Sequence, residues 1–99
     1  MAKSTDILTE AREAVSGDRM RHYGHPADNH ACTAAMWSAY LSRTLGLTVK
    51  LSAEDVCMLN ILQKVSREAN LPKRDNLVDI VGYARNVELI QERNAATPA

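Results

Sequence analysis

Asp75, Asp79 and Asn86 stand four and eleven residues apart in the stretch KRDNLVDIVGYARN, residues 73–86. Spacings of four, seven and eleven return to one face of a 3.6-residue helix. A narrow acidic stripe therefore runs among Leu77, Val78, Ile80, Val81 and Ala84. Carboxylates and amides placed this way can orient a cationic side chain, or hold a hard cation such as Mg²⁺, which prefers oxygen ligands.

A basic counterpart lies upstream. Asn60, Lys64 and Arg67 are spaced four and three apart and share a helix face. If the two helices pack antiparallel across the short turn NLPKRD, Lys64 and Arg67 come near Asp79 and Asp75. A charged pair between packed helices needs its partner, because an unpaired buried charge is costly. One reading is a structural ion-pair network. The other is a pocket in which Lys64 and Arg67 grip a phosphate. Periodicity favours the first, since such networks are often structural.

The loop RMRHYGHPADNH, residues 19–30, is the other dense patch. It supplies Arg19, Arg21, His22, Tyr23, His25, Asp28, Asn29 and His30. One reading is a loop whose His and Asn side chains cap the helix that follows. The other is a basic, aromatic cover over a nucleotide, with Tyr23 stacking and arginines on phosphate. Three histidines and Cys32 within residues 22–32 raise zinc, but their spacing does not match a closed four-ligand site. Nor is there a P-loop, a G-x-G-x-x-G or a nucleophile elbow. The short basic run PKR at 72–74 reads as a solvated turn.

Four helices must position these residues. The first spans about 6–16, with Ser4 or Thr5 as N-cap and Gly17 as stop. The second starts at Pro26 and runs to about Thr44. Cys32, Ala35, Met36, Ala39, Tyr40 and Leu45 form its apolar side, and Gly46 ends it. Trp37 lies beside that side, suited to core packing or a protomer contact. The third opens at SAED, with Ser52 and Asp55 at capping-box positions, and runs to about Ala69. It is apolar nearly all round, which fits a central helix or one in an interface. Asp75 can cap the fourth, which runs to about Glu92, and residues 93–99 read as a frayed tail. The expectation is a single all-α domain over 1–99, a four-helix bundle-like core over 6–92.

Composition narrows the function classes. A 99-residue chain with 45% hydrophobic residues suits one folded domain. Twelve basic against twelve acidic residues leave no formal net charge, hence no long-range pull toward nucleic acid or anionic membrane. Cys32 and Cys57 read as free thiols in a reducing compartment. No signal-peptide core and no transmembrane-length apolar run is present, so the expected location is the cytoplasm.

YGHPADN, AAMWSAYL, SAEDVCMLNILQKVSR and KRDNLVDIVGYA together resemble a family of small bacteriophage proteins described as a domain of unknown function. The resemblance covers about residues 7–92. The last helix, DNLVDIVGYA, is also similar to the final motif of the all-α, MazG-like nucleotide pyrophosphatases and phage nucleotide-modification-associated domains. That likeness implies a helical bundle, often dimeric or tetrameric, handling nucleoside phosphates with Mg²⁺. Such enzymes hold the metal with a Glu-Glu-x-x-Glu and a Glu-x-x-Asp motif on successive helices. Here Asn76-x-x-Asp79 matches the second with Asn for Glu, and Asn60-x-x-Gln63 offers amides where acids belong. Lys64 beside Asp79 would repel a cation.

The expected function is therefore binding of a nucleotide or other phosphate-bearing small molecule, without pyrophosphatase activity. The candidate ligand set is Arg19, Tyr23, His25, Asn29, Lys64, Arg67, Asp75, Asn76, Asp79 and Tyr83. No metal site is assigned; Asp79 and Asp75 would serve if Mg²⁺ bound. The alternatives are a phage protein that binds and modulates a host protein, and a Mg²⁺-dependent pyrophosphohydrolase with variant ligands. A homodimer or higher oligomer in the cytoplasm of an infected or lysogenic bacterium completes the expectation.

Overall fold

The computed structural model describes residues 5–96, apart from the Asp18 side chain. Among these residues the fold is all-α: α1 (Ile7–Ser16), α2 (Asp18–Tyr23), α3 (Pro26–Leu45), α4 (Ala53–Asn70) and α5 (Arg74–Ala96). No helix among them is long and apolar enough to cross a membrane.

The four expected helices are present, with α2 added between the first two. It escapes the pattern because six mostly polar residues carry no apolar stripe. Two glycines frame it. At Gly17, between α1 and α2, an added Cβ would lie 2.8 Å from the Glu13 carbonyl oxygen, so only glycine fits there. Gly24 has φ +79°, a conformation that side chains disfavour.

The caps follow local chemistry. The N-cap of α1 is Asp6, whose Oδ1 accepts from the Thr9 N–H at 2.7 Å. The sequence placed that cap at Ser4 or Thr5; Ser4 lies outside the described residues, and Asp6 is the acceptor that reaches Thr9. His25 caps α3: its Nδ1 accepts from the Ala27 N–H at 3.0 Å, and Pro26 takes the first helical position. Ser52 and Asp55 form the expected capping box of α4. The last helix starts at Arg74, with Asp75 inside its first turn rather than capping it. It also continues to Ala96, so 93–96 are helical where a frayed tail was expected; residues 97–99 lie outside the description. Arg93 of this segment pairs with Asp28 at 3.2 Å and ties it to the start of α3.

Helix α5 packs against α4, α1 and α3. The α4–α5 turn is clamped by Glu68, whose Oε1 accepts from the Lys73 N–H (2.9 Å) and from Asn76 Nδ2 (3.1 Å). The link 46–52 folds back on α3 through two serines. Ser42 Oγ donates to the Val49 carbonyl and accepts from its N–H, and Ser38 Oγ accepts from the Leu51 N–H. Arg74 was read as part of a solvated turn. Instead its guanidinium donates to Glu10 and to the Thr5 carbonyl, joining α5 to α1, because the starts of the two helices lie side by side.

The core is small: Ala11, Val15, Ala34, Val56, Cys57, Val78 and Ile90. The apolar side expected for α3 does not join it. Cys32, Ala35, Met36, Ala39, Tyr40 and Leu45 all face solvent, while the Ala34 and His30 side packs inward. Helix α4 is likewise buried on one side only, at Val56 and Cys57.

Candidate functional site

The short helix α2 forms one wall of a cavity of about 290 Å³. Ala14 and Val15 of α1 form a second wall. Pro26, Asn29 and His30 come from the start of α3, and Val78, Asp79, Gly82, Tyr83 and Asn86 from α5. The α5 contribution is the stripe anticipated from spacing: positions 79, 82, 83 and 86 fall on one face. Gly82 leaves its part of that face open, and an added Cβ there would make only ordinary contact with Val15, at 3.5 Å.

The polar groups are held by one another. His30 is buried, and Asn86 Nδ2 lies 3.2 Å from its Nε2. Burial pushes the His30 pKa below its usual 6.5, helped by the Arg19 charge. The ring is thus neutral at pH 7, and with the Asn86 amide donating, Nε2 is the acceptor. Tyr83 stands at a tilt to this imidazole, with ring centroids 6.1 Å apart. At the α2 side, the Arg19 guanidinium lies 6.0 Å from the Tyr23 ring centroid, a cation–π distance. Asp79 accepts from Lys64 Nζ at 2.8 Å, with both side chains largely buried. The remaining oxygen, Asn86 Oδ1, is buried without a partner.

The cavity gathers Arg19, Tyr23, Asn29, Asp79 and Tyr83 from the sequence-derived candidates. The other five are elsewhere. Lys64 reaches Asp79 from α4 but does not line the space. Arg67 and Asp75 are exposed, away from the lining. Asn76 is committed to Glu68, and His25 caps α3, which realises the capping reading of that loop. His30 and Asn86 were not among the candidates, although Asn86 had been placed on the same stripe as Asp79.

The residues do not fit Mg²⁺. Mg²⁺ keeps several waters and is held by one or two carboxylates free to coordinate, together with substrate phosphates. Among the described residues, the only carboxylate lining the cavity is Asp79, and it is paired with Lys64. Nowhere among the described residues do three His, Cys, Asp or Glu side chains converge. Zinc fares no better: His25 and His30 are spent on separate partners, and Cys32 is exposed. Cys57 offers no nucleophile, since burial, assisted by Glu54, pushes its thiol up to about 11. What remains is a recognition surface with one cation, two phenols, two carboxamides and a neutral imidazole.

Residues 6–91 match the profile of a family described as a domain of unknown function, DUF6378. Two bacteriophage proteins are similar along most of the chain. The Gene 55 protein of Mycobacterium phage D29 is 38% identical over 90 residues, covering 90% of this chain and 56% of that protein. The Gene 55 protein of Mycobacterium phage L5 is 38% identical over 86 residues, covering 86% and 52%. The chain thus spans little more than half the length of these relatives. No solved structure matches it.

Proposed function

The chain belongs to the DUF6378 family, a domain of unknown function, and from its cavity we propose that it binds a nucleotide or another phosphate-bearing small molecule without hydrolysing it. The observation that carries this reading is the cavity's polar lining, Arg19 with Tyr23, Asn29, Tyr83 and Asn86, beside which Asn86 Oδ1 is buried without a partner. A buried carbonyl left unpaired costs about 1–3 kcal/mol, and a ligand N–H would recover it. The exocyclic amine of a base offers such a donor. Tyr23 and Tyr83 supply ring faces for the base, and Arg19 supplies charge-assisted hydrogen bonds to phosphate.

The likeness of α5 to MazG-like nucleotide enzymes supports the ligand class. It does not extend to their hydrolysis. Asn76, matched to a metal-ligating glutamate, faces Glu68, and Asp79 is held by Lys64.

Thermal unfolding against a panel of nucleoside mono-, di- and triphosphates tests this, with and without Mg²⁺. A ligand at 100-fold excess over its Kd adds about 2.7 kcal/mol, roughly 10 °C or more in Tm for a domain this size. A selective shift without metal is expected, lost in Arg19→Ala and in Asn86→Leu. No shift across the panel would overturn the reading. A shift that required Mg²⁺ would restore a pyrophosphohydrolase with rearranged ligands.

A second reading, an interaction protein that binds and modulates a host protein, draws on the phage relatives and on large apolar side chains exposed on α3 and α4. It would gain if the nucleotide panel failed and one bacterial protein bound stoichiometrically. Either reading operates in the cytoplasm of a bacterial host.

A further inference from the structure

Between Asn29 and Ser42, fourteen residues of α3, there is no charged side chain. Half of this stretch nevertheless faces solvent: Met36 is 60% exposed and Tyr40 69%. The neighbouring α4 shows the same inversion, with Met58 at 51% and Leu62 at 61%. Met36 and Tyr40 are one helical turn apart, as are Met58 and Leu62, so each pair forms a continuous apolar stripe rather than scattered exposure. Contiguous apolar surface of this kind marks an interaction site.

The dimensions point the same way. The protomer is a plate of 55 × 38 × 21 Å with a radius of gyration of 15.3 Å. A compact chain of this length has a radius of about 13 Å. Its accessible surface is 7159 Å². A compact monomer of this mass exposes about 5,600 Å², leaving an excess of ~1,600 Å². The exposed last turns of α5 account for part of it. Homodimers of the obligate kind bury roughly 1,000–2,500 Å² on each protomer, so surface of this order is on the scale that a second copy would cover.

We propose that the outer faces of α3 and α4 are covered by a second copy of this chain, in a twofold homodimer. The missing charge selects the copy over a foreign partner. In a twofold contact each side chain near the axis meets its own equivalent, so any charge there would face a like charge. Fourteen uncharged residues remove that penalty, whereas a foreign partner could present opposite charges and would not require it. The balance of twelve basic and twelve acidic residues adds no net repulsion between copies. This assignment does not rest on what the cavity binds.

Sedimentation equilibrium of the full chain across the micromolar range decides it. Twice the 10.9 kDa chain mass is expected for the wild type, and the single-chain mass for Met36→Glu. Mixing Met36→Glu with Met36→Lys should recover the doubled mass, because opposite charges then meet at the axis. The side chain is exposed in the protomer, so helical circular dichroism should be unchanged. If Met36→Glu nevertheless failed to fold, Leu62→Glu on α4 carries the same test. A wild type that stays at 10.9 kDa, alone or while binding a bacterial protein, would overturn the proposal. So would a doubled mass that persists in the folded glutamate variant.

Discussion

The cavity beside α5 and the outer faces of α3 and α4 invert the usual rule in opposite directions. Inside, His30 is buried and Asn86 keeps a buried, unpartnered oxygen beside a space lined by Arg19 and Asp79. Outside, Met36, Tyr40, Met58 and Leu62 stand in water. Burying polar groups and exposing large apolar ones both cost free energy, and neither is needed to build a helical domain. The two departures are what the two proposals rest on: a polar small molecule in one place, a second copy of the chain in the other.

Truncating the true core sharpens that contrast most. Ile90 is fully buried, so Ile90→Ala should cost about 2–4 kcal/mol in urea unfolding. Met36→Ala removes far less of the protomer's internal packing, since Met36 is mostly exposed. Its effect should appear instead as a midpoint that depends on protein concentration. Equal, concentration-independent losses for both would break the distinction between core and outer face.

The Lys64–Asp79 pair comes next. Removing only the lysine leaves a largely buried carboxylate unpaired, and Lys64→Ala should cost about 1–3 kcal/mol by urea denaturation. Lys64→Met with Asp79→Leu should recover most of it. Full stability in Lys64→Ala would free the pair from its structural role and return Lys64 to the list of phosphate ligands.

The buried imidazole gives a smaller, pH-dependent effect. Its folded pKa lies below 6.5, so below that pH the unfolded chain takes up a proton that the folded one does not. Stability should therefore fall as pH drops from about 7 through the folded pKa, and His30→Gln should flatten that slope. Asp6 is separable. Its hydrogen bonds from Thr9 hold its pKa below 3.8, so its contribution is present above 3.8 and lost only as pH falls through that lower value. Urea midpoints from pH 7.5 to 5 check the histidine alone. The smallest effect belongs to Arg74→Ala, whose exposed bonds to Glu10 should be worth under about 1 kcal/mol in the same assay.

Much of this organisation was legible in the residues. The Ser52–Asp55 box, Pro26 and Gly46 set helix ends by local chemistry, and local chemistry is what a sequence displays. The Lys64–Asp79 pair followed from two periodic stripes and a short turn. Three things were not legible. Helix α2 depends on two flanking glycines and on packing, without a stripe of its own. The apolar side of α3 was visible, but periodicity cannot say whether a face is covered by its own chain or by another. His30 and Asn86 become a site only when α3 and α5 meet, fifty-six positions apart in sequence. The spacing from Asp79 to Asn86 was the one available signal.

Amide nitrogen–proton correlation spectra of the labelled wild-type chain, recorded while the nucleotide giving the largest thermal shift is added, test the ligand claim most directly. The account predicts saturable changes at Arg19, Tyr23, His30, Tyr83 and Asn86, with Met58 and Leu62 on the outer face of α4 unmoved. Changes confined to the outer faces, or none at the cavity under saturating nucleotide, would contradict it.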